Sequence, residues 1–470
     1  MNKVLDTPIF SLVSHIQSGN LSAKSLIDEC YQNIEQFQPL TNALITLREK
    51  SQVHKDLSQI QKSKISYPLL GIPFVLKDSY VTENIYTTAA SNILKKYLPQ
   101  YNSTVYQKLL NAGALLIGKA NMDAWGHGAS TENTDFGPTK NPYDLSRVAG
   151  GSSGGPAVAI ATRMCSFAIG EDTGGSIRNP SAWNNLSGLK VTYGRVSRYG
   201  CIAYASSFDT VGPMAKYVED LAYILEIISG HDPYDATSST QKVDRYFQLL
   251  SSPIKFRIGI PQEVLPKNLN PEIKQSLLNV RDTLIKAGHI VKEVSMPLLV
   301  FGLPIYYLIG PSETSSNLSR YDGVRFGSDR SQFTNETVRR IMTGTFALSS
   351  GYYDAYYRQA QKGRTLLIQE YDHVFKQVDI LLTPVNPNHP PKFGELLNDP
   401  VNNMLADVFT ITQNIVGVPS LSIPAGFSRN GLPIGVQLTG PMFSETMLLT
   451  VGHEYQQATS WHLSKPNIYA

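Results

Sequence analysis

Residues 150–188 read GGSSGGPAVAIATRMCSFAIGEDTGGSIRNPSAWNNLSG, and the rest of the chain is best understood as their support. Two glycine-rich turns, at 150–155 and 173–176, flank a run of small and apolar residues. Glycine at this density serves tight turns or close approach of backbone to a ligand, because no Cβ intervenes. Each turn holds a serine, a side chain able to form an ester. In the second turn the consecutive N–H groups of Gly174, Gly175 and Ser176 could converge on one oxygen, as an oxyanion hole requires. Ser176 therefore reads as a nucleophile presented on its own oxyanion hole. A pair of flexible loops is the plain alternative for GGSSGG alone. A phosphate loop is excluded, since no Lys-Ser or Lys-Thr follows the glycines and no GxGxxG fits.

Upstream, the apolar run at 69–76 is bounded by turn residues and predicts a buried strand with Lys77 and Asp78 at its end. Residues 105–120 predict a helix followed by a strand. The polar, glycine-rich segment 121–141 predicts an irregular loop of the kind that lines sites on a rigid scaffold. At the N-terminus, Ile9, Leu12, Ile16, Leu26, Ile27 and Ile34 recur at helical spacing, interrupted by Gly19-Asn20, with Ser22 as a cap. Downstream, a helix is expected at 218–228, and the polar stretch 231–253 is the best candidate for a subdomain boundary. Residues 256–294 then read strand–helix–strand, with Asn270 as cap and Pro271 at the first helical position. A tyrosine-rich helix at 352–371 and strands at 380–383, 419–424 and 434–438 complete the pattern of an α/β fold.

At 470 residues the chain can bury a large core. Its net charge of +3 implies no strong nucleic-acid field. No apolar run is long enough to span a bilayer. The first residues lack the basic start and apolar core of a signal peptide and the arginines of a presequence, so the expected location is the cytoplasm, or an organellar matrix. Three cysteines without CxxC spacing argue against a disulfide framework and against a zinc site, and no metal is expected. Cys165, among Met164, Phe167, Ala168 and Ile169, reads as a buried thiol.

Three motifs in order, GIPFVLKDS at 71–79, GGSSGG at 150–155 and GGSIR at 174–178, resemble the signature of the amidase signature family. The resemblance implies an α/β fold, a large mixed sheet covered by helices on both faces. It also implies a Ser–cis-Ser–Lys triad of Ser176, Ser152 and Lys77. The intervals, 75 residues from Lys77 to Ser152 and 24 from Ser152 to Ser176, match the family's spacing. In this family the peptide before the relay serine, here Gly151–Ser152, is cis. The oxyanion hole would be formed by Thr173, Gly174, Gly175 and Ser176. Serine needs a group to take its proton. A neutral lysine can do so if its pKa falls from about 10.4 toward 7–8, and an apolar strand end suits that desolvation. Nine histidines are present, yet none lies in a motif tied to Ser176.

Segments 194–200, 315–323 and 344–357 resemble one branch of that family, the glutaminase subunits of tRNA-dependent amidotransferases, and this likeness runs over nearly the whole chain as one domain, 1–470. Within it, N-terminal helices would occupy about 8–60, a catalytic core about 66–230 and a smaller α/β portion about 254–380. The branch implies that glutamine is hydrolysed through a glutamyl ester and that ammonia passes to a B subunit. That partner would amidate misacylated Glu-tRNA(Gln) or Asp-tRNA(Asn), with a C subunit clasping the two. No cofactor is expected in this chain; ATP and magnesium would belong to the partner, as would most tRNA contact. By alignment with the branch, Arg340 would pair the α-carboxylate of glutamine. Asp407 would meet its ammonium and Tyr306 would touch the substrate; ordinary surface charges are the plain alternative for Arg340 and Asp407. Asp172 and Arg178 would brace the turn. The chain departs from the branch at Pro156, Glu171, Trp183-Asn184-Asn185, His127 and a shortened segment between Gly327 and Arg339. A stand-alone amidase acting on a small carboxamide shares the triad and stays open as a second reading. A non-catalytic scaffold is disfavoured by the intact Lys77, Ser152 and Ser176.

Overall fold

The computed structural model describes residues 4–63, 65–267 and 269–469. The N-terminal Met-Asn-Lys, where a leader would begin, and the ends of the expected 1–470 span lie outside the described residues. Among the described residues, eleven strands form one mixed sheet. Its order is Leu44–Leu47, Leu115–Ala120, Pro73–Lys77, Phe167–Asp172, Thr210–Ala215, Ser187–Lys190, Ser420–Phe427, Pro433–Thr439, Ile380–Pro384, Arg257–Pro261 and Ile290–Val294. Every residue of Pro73–Lys77, Leu115–Ala120 and Phe167–Asp172 is buried. Side chains alternate between faces along a strand, so both faces of the sheet are covered there. That explains the near-continuous apolar runs in the sequence.

Two parallel neighbours set up the site. The strand Pro73–Lys77 pairs in parallel with Phe167–Asp172, Phe74 opposite Phe167 and Leu76 opposite Ile169. Their carboxyl ends therefore emerge at one sheet edge, carrying Lys77 from one strand and Glu171-Asp172 from the other. Ligands of α/β sheets characteristically bind outside such ends. The helix Gly154–Ala161 joins the two serine turns and packs against both strands. Segment 121–141 is irregular, as expected, and most of it is buried beside this edge.

Several boundaries differ from expectation. The strand foreseen at 69–76 begins at Pro73. Residues 69–72 instead turn at Gly71 (φ 71°), with Leu69 and Gly71 N–H donating to Ala112 and Gly113. The tyrosine-rich helix runs Tyr357–Val374, because Gly351 (φ 85°) and the turn after it precede the helix. Two helices unforeseen in the sequence, Gly302–Leu318 and Asn335–Leu348, cover the site. The first contains Pro304, Gly310 and Pro311, residues that normally break helical patterns. Gly344 of the second lies on the Pro311 carbonyl, where a Cβ would collide, so the helices meet closely at that point. The cap at Asn270 forms as expected, its side chain accepting from Glu272 N at 2.9 Å.

Candidate active site

Lys77 is fully buried, and its Nζ donates to Ser152 Oγ at 2.7 Å. The same nitrogen lies 3.2 Å from the Glu171 carbonyl and 3.0 Å from Glu171 Oε2. The sequence suggests a neutral amine at an apolar strand end; the structure puts a carboxylate beside it instead. The part of Glu171 as a charge partner escapes a reading of the sequence. The Gly151–Ser152 peptide is cis. Ser152 carbonyl accepts from Asp123 N at 3.2 Å, and Ser153 N donates to Ser176 carbonyl at 3.2 Å, which ties the two serine turns together. Among the described residues the link between these turns is this backbone bond. A Ser152–Ser176 hydroxyl bond is not formed, so the relay is closed on the lysine side and open on the nucleophile side.

Asp172 shapes the second turn. Its carboxylate accepts from Gly175 N at 2.9 Å and Ile177 N at 3.0 Å, and pairs with Arg178 Nε at 3.1 Å and Nη2 at 3.0 Å. Burial by itself raises this carboxyl; the Arg178 guanidinium overrides it and holds Asp172 well below the usual carboxylate range. Arg178 continues to Gln413, Gln437, Asn414 and the Thr410 carbonyl. The two residues brace the turn, as the sequence indicated. The Gly175 N–H is thereby occupied, whereas those of Thr173, Gly174 and Ser176 have no protein acceptor among the described residues. Of the four N–H groups expected to form an oxyanion hole, at Thr173, Gly174, Gly175 and Ser176, that of Gly175 is bonded to Asp172 instead. Gly175 holds φ 136°, a conformation L side chains rarely adopt, with Thr410 packed on it.

The substrate-side residues converge on the same turn. The Tyr306 hydroxyl lies so close to Gly174 that a Cβ there would sit 2.6 Å from it. Tyr306 Oη is 3.4 Å from Tyr204 Oη, which accepts from Arg340 Nη1 at 2.5 Å. Arg340 reaches the turn through this tyrosine and is not a free surface charge. Its Nε is already paired with Glu336 Oε1 at 2.8 Å. Asp407 is buried, and the backbone after it returns to the turn: Thr410 Oγ1 donates to the Gly174 carbonyl at 2.6 Å. Burial pushes the Asp407 carboxyl up to about 8, against the pull of Arg340. His127 lies between Thr314 and Thr337, edge-on to Tyr204; burial and the Arg340 charge push it well below its ordinary range, so it is a neutral wall. Sequence reasoning missed Tyr204 and Glu336. The i,i+4 spacing of Glu336 and Arg340 was the available signal for the second. Cys165 is buried, and burial pushes its thiol up. Among the described residues no group of three or more His, Cys, Asp or Glu side chains could hold a metal, and no helix is long and apolar enough to cross a membrane.

The family model described as Amidase matches residues 25–449. The chain belongs to the amidase family. This amidase is 43% identical over 482 residues to the A subunit of glutamyl-tRNA(Gln) amidotransferase from Geobacillus thermodenitrificans, covering 98% of this chain and 99% of that one. It is 45% identical to the protein of the same name from Thermosynechococcus vestitus, over 95% and 97% of the two chains. Among solved structures, the A subunit from Thermotoga maritima superposes with a TM-score of 0.86 at 35% identity, covering 99% of both chains. A 6-aminohexanoate cyclic dimer hydrolase superposes at 0.90 with 24% identity, covering 99% of this chain and 100% of that one, a likeness of fold alone.

Proposed function

We propose that this amidase is the glutaminase subunit of a tRNA-dependent amidotransferase. The observation that carries the reading is full-length identity of 43–45% to A subunits of glutamyl-tRNA(Gln) amidotransferase, in a chain whose Lys77 amine bonds Ser152. Ser176 Oγ attacks the carboxamide carbon of glutamine. Its proton passes to Ser152 Oγ as Ser152 yields its own to Lys77 Nζ, which requires a small closure of the open side of the relay on substrate binding. The oxyanion is met by the N–H groups of Thr173, Gly174 and Ser176. The proton returns along the same path to the leaving nitrogen, and ammonia departs. Water then attacks the Ser176 glutamyl ester, with Lys77 again the base, and glutamate is released.

Arg340 and Asp407 hold the two charges of the zwitterion, and Tyr306 walls the bound amide. Ammonia passes to a B subunit that amidates Glu-tRNA(Gln) or Asp-tRNA(Asn) with ATP and magnesium, and a C subunit clasps the pair. The reaction takes place in the cytoplasm or an organellar matrix. The test is release of glutamate from glutamine by the chain alone and with its partner subunits and charged tRNA. Stimulation by the partners is expected. Hydrolysis of unrelated carboxamides in preference to glutamine, without any response to partners, would overturn the reading in favour of a stand-alone amidase.

A further inference from the structure

Behind the relay lies a polar chain that the proposed reaction does not use. Glu171 Oε2 is 3.0 Å from Lys77 Nζ, while Oε1 accepts from the Thr173 hydroxyl. The same hydroxyl lies 2.6 Å from Asp209 Oδ1. A hydroxyl has one proton to donate, so two carboxylates cannot both be satisfied by it, and one of the pair must carry a proton toward the Thr173 oxygen. Asp209 also accepts from Tyr204 N and Ala205 N, each at 3.0 Å. Burial, and after it the Glu171 charge, pushes the Asp209 carboxyl up, so Asp209 is the member of the pair suited to carry the shared proton.

Titratable and charged groups face Glu171 from several elements. Lys77 comes from the neighbouring strand, and Tyr80, just beyond it, donates to the Gly170 carbonyl at 2.6 Å. Asp209, Arg198 and Cys201 come from the 198–209 segment. Asp123 faces Lys77 from the 121–141 loop. Asp172 is turned toward Arg178, and Lys119 is paired with Asp78 at 3.0 Å. Glu171 is thus the one carboxylate in ion-pairing contact with Lys77 among the described residues. Glu171 and Asp209 line a cavity of about 940 Å³, with Arg198 and Cys201 beside them, whose lining does not include Tyr306, Arg340 or Asp407.

We propose that Glu171 is a positioning residue of the proton relay, its carboxylate holding the Lys77 amine on Ser152 and setting the acidity at which that amine accepts the relayed proton. The inference rests on the serine-amidase reading of Lys77, Ser152 and Ser176, and adds a fourth member to it. An opposite charge in ion-pairing contact favours the charged form of its partner. The relay of this chain is therefore more acid-sensitive than one without the carboxylate.

The experiment measures the rate at which Ser176 of the full chain is sulfonylated by phenylmethylsulfonyl fluoride, against pH, by mass spectrometry. This probe needs the relay but not the glutamine pocket. Glu171→Gln and Glu171→Ser are each compared with the parent after thermal melting shows them folded. Both should move the acid-side half-point down by about one pH unit or more. Glutamine KM should stay within about threefold, because Glu171 touches no substrate residue. Half-points that coincide with the parent, or rise, overturn the inference. Two variants guard against one failing to fold. A chain that shows the shift but cannot hydrolyse glutamine breaks the glutaminase reading and leaves the role of Glu171 standing. Glutamine hydrolysis with an unmoved half-point does the reverse.

Discussion

The two sides of the site are held in different ways. On the catalytic side, Lys77, Glu171 and Asp172 are supplied by the ends of two buried parallel strands, and the Ser176 turn is drawn onto Asp172 by the backbone N–H groups of Gly175, Ile177 and Arg178. On the substrate side, Tyr306 and Arg340 are supplied by helices that lie over the sheet edge, joined through Tyr204. The outer face of the Arg340 helix is open, Met342 being 66% exposed. A turn fixed by its own main chain and a buried ion pair has little freedom to rearrange. The helices meet backbone to backbone at Gly344 and Pro311 but reach the Ser176 turn through the side chains of Tyr306, Tyr204 and Arg340, so their hold on the turn is the more adjustable of the two.

Breaking the catalytic side should have the largest effect. Ser176→Ala is expected to lower kcat by on the order of 10⁴-fold or more, with glutamine still binding; near-normal steady-state hydrolysis would remove Ser176 from the mechanism. Changes on the other side should appear in KM instead. Arg340→Lys loses the planar guanidinium that bonds both Tyr204 and Glu336, and KM for glutamine should rise about tenfold to a hundredfold while kcat changes little. A drop in kcat with unchanged KM would place Arg340 in the chemistry.

The buried Asp407 sharpens the contrast through pH. Its carboxyl is pushed up to about 8, so below that pH the free enzyme holds it protonated and poorly suited to an ammonium ion. Ionisation, and with it glutamine binding, increases as pH rises, so KM should fall roughly tenfold between about pH 6.5 and 8. Asp407→Asn should flatten that dependence. A KM independent of pH in the parent enzyme would contradict the assignment. The smallest effect is expected at Cys165, buried away from both sides: Cys165→Ala should keep turnover within about twofold and cost roughly 1 kcal/mol of stability, read by denaturant unfolding.

The same contrast explains what could be read from the residues alone. Lys77, Ser152 and Ser176 sit in short motifs whose glycines and flanking apolar runs reflect local backbone needs, so the strands and turns that carry them were legible. Glu171 was visible only as an oddity, since its meaning depends on the register that sets it beside Lys77. The occupied N–H of Gly175 was equally hidden, because the capture by Asp172 is a matter of turn geometry. On the substrate side, Gly302–Leu318 carries two prolines and has no apolar stripe, whereas Asn335–Leu348 is amphipathic and its periodicity was legible though not read, despite the apolar residues it also presents to the outside. Tyr204, which joins Arg340 to Tyr306, lies in a segment without periodicity, and only tertiary packing brings it there.

The proposed chemistry stands on Ser176 being the residue that bonds the acyl group. The most direct measurement treats the chain with the glutamine analogue 6-diazo-5-oxonorleucine and locates the covalent adduct by peptide mass spectrometry. A single adduct on the peptide containing Ser176, lost in Ser176→Ala and strongly slowed in Lys77→Met, is the predicted result. An adduct on Cys165, Cys201 or any other side chain, with Ser176 unmodified, would contradict it.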